Sequence, residues 1–208
     1  TLDLNNSDIS DDWFLIYNNY TFEVSVYPES SETVEYEKAQ YAIKIMNKEP
    51  FKDNFTVEIE NIDNASYIEL SDSKLTLDAF DIGTIFLNVT DEETGTYRIK
   101  VSASSEETGV KRCMNITTIV LPAFEVSIKA PETETCVGGN LTYWVELKND
   151  QKLRDTFLLD IVGIDASWYT MWRSVRLDSG AREKIPLYIH IPENTSLGTY
   201  NVTVLAIS

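Results

Sequence analysis

Phe22-Glu23-Val24-Ser25 recurs 102 positions later as Phe124-Glu125-Val126-Ser127. The register holds without a gap as far as Tyr67. Glu32-Thr33 falls on Glu134-Thr135, Tyr41 on Tyr143, Asn47 on Asn149, Asp53 on Asp155, Phe55 on Phe157 and Tyr67 on Tyr169. After small shifts, Leu77-Asp78 matches Leu177-Asp178 and Gly95-Thr96-Tyr97 matches Gly198-Thr199-Tyr200. A period of this length is too long for a solenoid unit and suits a whole β-sandwich. The chain of 208 residues therefore reads as two copies of one domain, joined at Leu121-Pro122-Ala123.

Within each copy the apolar period is two, which is the strand period. Tyr41, Ile43 and Ile45 alternate with Ala42, Lys44 and Met46, and Phe55, Val57 and Ile59 with Thr56, Glu58 and Glu60. Tyr143, Val145 and Leu147 repeat the pattern in the second copy. Turn-rich breaks separate the runs, and helical periodicity is absent. The expected fold is all-β: two tandem immunoglobulin-like β-sandwich domains over residues 19–122 and 123–208, preceded by an N-terminal extension over 1–18.

The two copies end differently. The first continues from its Gly-Thr-Tyr strand through an acidic turn into a further strand, Arg112 to Leu121, whereas the second stops at Ser208. The second domain is thus expected to lack its final strand, leaving an unpaired edge and an open groove. The same offset run backwards puts Ser10 to Tyr17 in the position of a final strand for a preceding domain. Trp13, Leu15 and Tyr17 alternate with Phe14 and Ile16, so both faces are apolar, as in a strand buried on both sides. The first domain intervenes, at roughly 35–40 Å for strands of this length. Donation of residues 9–18 to another molecule is therefore the simpler arrangement, and head-to-tail contacts of that kind make filaments. The alternative is a fragment of a longer array, with the spare strand belonging to an upstream domain.

Lys and Arg total 17 against 34 Asp and Glu, a net charge of −17. That excludes a basic footprint for nucleic acid and disfavours anionic membrane surfaces. No run approaches the length of a transmembrane helix, so no direct membrane insertion is expected. The chain begins at Thr1, which points to a removed leader or a cut boundary.

Nine of the fourteen asparagines open an Asn-x-Ser/Thr sequon: Asn5, Asn19, Asn54, Asn64, Asn88, Asn115, Asn140, Asn194 and Asn201. At Asn54, Asn88, Asn115 and Asn201 the sequon is expected inside a strand, with Asn and Thr on the solvent face. The expectation is an exported, N-glycosylated, extracellular protein carrying N-linked glycans. Export favours a disulfide between the two cysteines, Cys113 and Cys136. A straight tandem separates them, so the bridge is within the chain only if the second domain folds back; otherwise it is between chains, or the thiols are free.

Nothing in the chain assembles a catalytic or metal site. His190 is the single histidine and sits on the solvent side of an alternating strand. There is no nucleophile elbow and no phosphate-binding glycine loop. No catalytic residue, cofactor or metal is expected. Trp168, Tyr169 and Trp172 form an aromatic group read as core or interface. Trp144 shares the outer face of its strand with Thr142 and Glu146, which makes it an interface candidate.

Phe124-Glu125-Val126-Ser127, Pro131, Cys136-Val137-Gly138-Gly139, Tyr143, Asn149, Asp155-Thr156-Phe157 and Pro192 with Gly198-Thr199-Tyr200 resemble the immunoglobulin-like repeats of archaeal and bacterial surface proteins. The organisation, sequons on a sandwich with a detached strand, is similar to that of archaeal donor-strand filament subunits, the pili and threads. These resemblances imply a glycosylated extracellular filament subunit that forms a homopolymer. The competing expectation is a cell-surface adhesin or carbohydrate-binding array fragment.

Overall fold

The computed structural model describes residues 21–130 and 133–208. The first half contains β1 (Phe22–Tyr27), β2 (Ser30–Val34), β3 (Ala39–Asn47), β4 (Asp53–Asn61), β5 (Tyr67–Leu70), β6 (Lys74–Leu77), β7 (Ile82–Thr90), β8 (Gly95–Ser105) and β9 (Lys111–Leu121). The second contains β10 (Phe124–Lys129), β11 (Asn140–Asn149), β12 (Asp155–Val162), β13 (Tyr169–Thr170), β14 (Ser174–Leu177), β15 (Arg182–His190) and β16 (Thr203–Ile207). A single 3-10 turn at Ala166–Trp168 is the helical element among the described residues.

The first half is a sandwich of two sheets, ordered β1-β3-β7-β5 and β2-β9-β8-β4-β6. The second half repeats the first sheet as β10-β11-β15-β13 and shortens the other to β14-β12-β16. Both are immunoglobulin-like, with period-two strands burying one face against the opposite sheet. Two separate cores result. Phe22, Tyr41, Phe55, Leu87 and Ile99 centre the first, and Val145, Leu147, Phe157, Ile185 and Leu187 the second. The Phe22–Phe55 ring contact at 5.0 Å recurs as Phe124–Phe157 at 5.2 Å.

A buried asparagine closes each sandwich. Asn47 Nδ2 donates to the Phe51, Leu77 and Asp78 carbonyls, and its Oδ1 accepts from the Glu49 N–H. Asn149 does the same with Leu153, Leu177, Asp178 and Gln151. Neither is a sequon; both are fully buried, and one amide there ties three chain segments together. A second pair also repeats. Ser105 Oγ donates to Asp53 at 2.5 Å, and Ser208 Oγ to Asp155 at 2.5 Å.

The halves meet where β9 runs through Leu121-Pro122-Ala123 into β10. The Glu35 N–H donates to the Leu121 carbonyl, the Ala123 N–H to Glu35 Oε2, and Lys152 both bonds and pairs with Glu37. The Asp150 N–H then donates to the Ala123 carbonyl at 3.0 Å. The Lys48 N–H donates to the Thr21 carbonyl at 3.0 Å in the same way. The chain therefore enters both sandwiches with the same geometry, and Thr21 stands where Ala123 stands.

Candidate functional site: an open groove in the second sandwich

Comparison of the two halves defines the site. In the first, β9 lies between β8 and β2, antiparallel to one and parallel to the other. Its inward residues Ile116, Thr118 and Val120 are buried. They cover β1 and β3 from the side, so Phe22 and Val26 are sealed. Tyr41 Oη donates to the Thr117 carbonyl at 2.9 Å and lies 2.7 Å from Thr118 Oγ1. Burial pushes the Tyr41 phenol above its ordinary pKa, opposed by the Thr118 hydroxyl.

In the second half, among the described residues, β16 pairs with β12 and no strand lies on its other side. The segment matching β2 forms no strand over Thr133–Cys136, since the strand that would pair with it is not in place. Several residues beside β9 in the first half have more open counterparts. Val26 is 4% exposed and its match Ile128 is 38% exposed. Ile99, Val101 and Ala103 are fully buried, whereas Val202, Val204 and Ala206 are half-buried. Tyr143, the match of Tyr41, is half-buried, and no hydrogen bond reaches its hydroxyl among the described residues. It lines a cavity of about 620 Å³ together with Leu141, Ile189, Ile191, Val202 and Val137. Its wall mixes these apolar side chains with polar ones, among them Thr133, Glu134, Thr135, Thr195 and Ser196, and it lies on the side where β9 packs in the other half.

The outer face beside this groove also differs between halves. On β4 and β8 the outward residues are Thr56, Glu58, Glu60, Lys100, Ser102 and Ser104. Lys100 pairs with Glu60 at 2.9 Å and Lys111 of β9 with Glu58 at 2.7 Å. On β12 and β16 the matching face carries Leu158, Val162, Leu205 and Ile207, between 42% and 64% exposed. Leu158 stands directly across from Ile207. Asp160, between them, is turned to solvent. The Ile161 N–H, then the Tyr169 hydroxyl, hold its carboxyl below the usual range against a small opposing burial effect, with Arg173 adding its charge.

Trp13, Phe14, Leu15, Ile16, Tyr17, Asn5 and Asn19 lie outside the described residues. Asn54, Asn64, Asn115, Asn140, Asn194 and Asn201 are exposed, and Asn88 is half-buried with Oδ1 accepting from Gln40 Nε2 at 3.2 Å. Asn54, Asn88 and Asn115 lie within strands as expected. Asn201 does not: β16 begins at Thr203, because pairing with β12 starts at Val162. Gly163, at φ +98, lets the Asn201 carbonyl approach, and an added Cβ there would stand 1.9 Å from that oxygen.

Cys113 and Cys136 are both exposed free thiols, so the disulfide expected between them is not formed within the chain. Cys113 sits near the start of β9, about 26 Å of extended strand from the joint at Leu121, and its sulfur lies 3.3 Å from Ser102 Oγ. Trp144 is half-buried opposite Pro186, with Lys184 Nζ 4.7 Å from its ring centroid. That cation–π contact occupies the ring locally. Trp168 packs edge-on against Tyr200 at 5.4 Å, Tyr169 packs on the core, and Trp172 is exposed. His190 is exposed, with Nδ1 2.9 Å from Asn140 Oδ1. The groove's phenol and the outer apolar stripe escaped sequence reading. The signal was available in the repeat, where Thr56, Glu60, Ser102 and Ser104 align with Leu158, Val162, Leu205 and Ile207.

No protein-family model and no curated protein matches the chain. Among solved structures, it is similar to the PapD-like domain 7 of human CEP192, at 12% identity and TM-score 0.40, covering 55% of this chain and 94% of that one. The E. coli chaperone DraB matches at 8% identity and TM-score 0.35, over 79% of this chain and 84% of that one. The class 5 fimbriae chaperone CfaA matches at 11% and 0.36, over 89% and 98%. At these scores the likenesses carry no functional argument, and the fold assignment rests on the strand order above.

Proposed function

We propose that the chain is a structural, non-catalytic subunit of an extracellular glycosylated filament, assembled head-to-tail by donor-strand complementation. Residues 9–18 of one copy occupy the groove beside β16 of the next. One observation carries the reading: the second sandwich is open along the line that β9 fills in the first. The repeat supplies the template for the occupant. Because Thr21 stands where Ala123 stands, counting back puts Phe14 at the place of Ile116 and Ile16 at the place of Thr118. Both then point into the groove, where an apolar side chain contributes about 1.5–3 kcal/mol on burial. The Leu15 carbonyl takes the place of the Thr117 carbonyl and accepts from Tyr143. Asn19 takes the place of Leu121, which is exposed, so a glycan there stays in solvent. The exposed sequons and the net charge of −17 support a solvated coat on an exported protein.

Deletion of residues 1–18 tests this. The full chain is expected to form filaments visible by electron microscopy, and the deletion is expected to stay monomeric in sedimentation. Filaments from the deleted chain would overturn donor-strand assembly. A full chain that stays monomeric but binds glycans on an array would favour the binding-module reading instead.

A further inference from the structure

Residues 13–17 of the donor segment are apolar on both faces, yet the groove accounts for only one of them. We propose that the exposed stripe Leu158, Val162, Leu205 and Ile207 is a second recognition surface for the same segment of a neighbouring copy. It would receive the outward residues Ile9 and Trp13 and so select the donor on its outer face. The inference rests on the donor-strand reading and adds a specificity device to it.

The two halves differ on this face as well. In the first half, β9 presents Lys111, Cys113, Asn115 and Thr117 outward, and these meet an equally polar neighbour. Lys111 reaches across β8 to Glu58. Its cross-strand partners are Ser104 for Lys111, Ser102 for Cys113, Lys100 for Asn115 and Arg98 for Thr117. In the second half, the β12 and β16 side turns apolar, and the donor side does so at Ile9, Trp13 and Leu15 but not at Asp11. Ser104 and Ser102 align with Ile207 and Leu205, and Thr56 and Glu60 with Leu158 and Val162. Under the register fixed at Thr21, Lys111 aligns with Ile9, Asn115 with Trp13 and Thr117 with Leu15. Ile9 then lies directly opposite Ile207. Trp13 lies opposite Thr203 and diagonal to Leu205, within reach of a large ring. Polar meets polar in the first sandwich; in the second, Ile9 meets Ile207 and Trp13 reaches Leu205 on the diagonal, while Asp11, aligned with Cys113, stands directly opposite Leu205. The groove alone does not require this, since an inward apolar face with a polar outer face would fill it, as β9 does. An exposed stripe of this kind is also a hazard for unselected association, which a covering partner removes.

The test uses the full chain. One variant replaces the stripe with first-half residues, Leu158→Thr, Val162→Glu, Leu205→Ser and Ile207→Ser; a second carries Trp13→Thr; a third combines them. The readout is the critical concentration for polymerisation by sedimentation. The stripe positions are exposed and take residues tolerated at matching sites, and Trp13→Thr leaves the second sandwich untouched. Each of the first two variants is expected to raise the critical concentration about tenfold, the size of one or two lost cross-strand pairs. The combined variant is expected to raise it little further, because both remove the same contact. Wild-type assembly that is abolished by deleting residues 1–18 but unaffected by either variant would overturn the stripe proposal and leave the donor strand standing. Fully additive effects would likewise overturn it. A wild-type chain that never polymerises would sink both.

Discussion

Replacing each of two repeat-equivalent tyrosines by phenylalanine separates the filled groove from the open one. Tyr41 Oη donates to the Thr117 carbonyl at 2.9 Å and meets Thr118 Oγ1 at 2.7 Å, wholly buried. Tyr41→Phe removes that partner and leaves the Thr118 hydroxyl buried with one contact fewer. The cost is about 1–2 kcal/mol, or a fall of very roughly 5–15 °C in the melting temperature of a unit this size. Tyr143 has no such partner among the described residues, so Tyr143→Phe is expected to leave monomer stability within about 0.5 kcal/mol. In the polymer the order reverses. Tyr143→Phe removes the hydrogen bond to the donor's Leu15 carbonyl and raises the critical concentration about fivefold to tenfold, while Tyr41→Phe leaves assembly unchanged. Calorimetry on deleted, monomeric chain gives the first readout and sedimentation of full chain the second. Equal destabilisation of the monomer by the two substitutions would show that the Tyr143 hydroxyl is already satisfied. Unchanged assembly with Tyr143→Phe would refute the template argument.

Asn149→Ala is expected to destabilise the second sandwich by about 2–4 kcal/mol in urea unfolding, because three carbonyls and one N–H lose a buried partner; Asn47→Ala should match it in the first. A loss under about 0.5 kcal/mol would mean that water replaces the amide. Gly163→Ala should detach β16 from β12, since its Cβ would stand 1.9 Å from the Asn201 carbonyl, and faster amide exchange over Thr203–Ile207 is the readout. Asp63 is gripped by Arg98 through Nε and Nη2 at 2.8 and 2.9 Å and by its backbone N–H, which hold its carboxyl down at about 2. That is below the unfolded value of about 3.9, so the stabilisation is present above pH 4 or so and fades as pH falls towards 2. Asp63→Asn should flatten the acid limb of first-half melting in that window, modestly, because the pair is exposed; an unchanged limb would show that the pair contributes nothing.

The fold was legible because the sequence states it twice. Period-two alternation located β3, β4 and β11, and the repeat fixed which strand of one half answers which of the other. That Thr133–Cys136 forms no strand was not legible in the repeat. Nor was the parallel pairing of β2 with β9, since Ser30–Val34 is short and polar and its pairing is set by a strand over eighty residues away. Asn47 and Asn149 stood out as a repeated pair, but a buried amide and an exposed one are the same letter. Cys113 and Cys136 suggested a disulfide by residue type, but a bridge depends on distance, and within the chain both are free thiols. The donor-facing stripe was invisible to a search for similarity, because it lies where the two copies differ.

That difference has a thermodynamic reason under the donor-strand reading. Within the first sandwich, β9 is tethered to β8 by a short turn, so its docking costs only a small loop-closure entropy. A donor from another copy must also give up translational and rotational freedom, about 4–15 kcal/mol at the standard state. Five ladder residues and an inward face patterned like that of β9 would only equal what the tethered strand gains, and the tethered strand starts without that cost. Additional burial is needed; Phe14 and Ile16 in place of Ile116 and Thr118 supply part of it on the inner side, within the limit set by the sandwich thickness that both halves share. The outer face is the remaining place. An apolar stripe there, matched to an apolar outer edge on the donor, offsets the association cost without altering the core. The same placement blocks the wrong pairing, because the donor's Ile9 and Trp13 would meet Ser104 and Lys100 on the first sandwich.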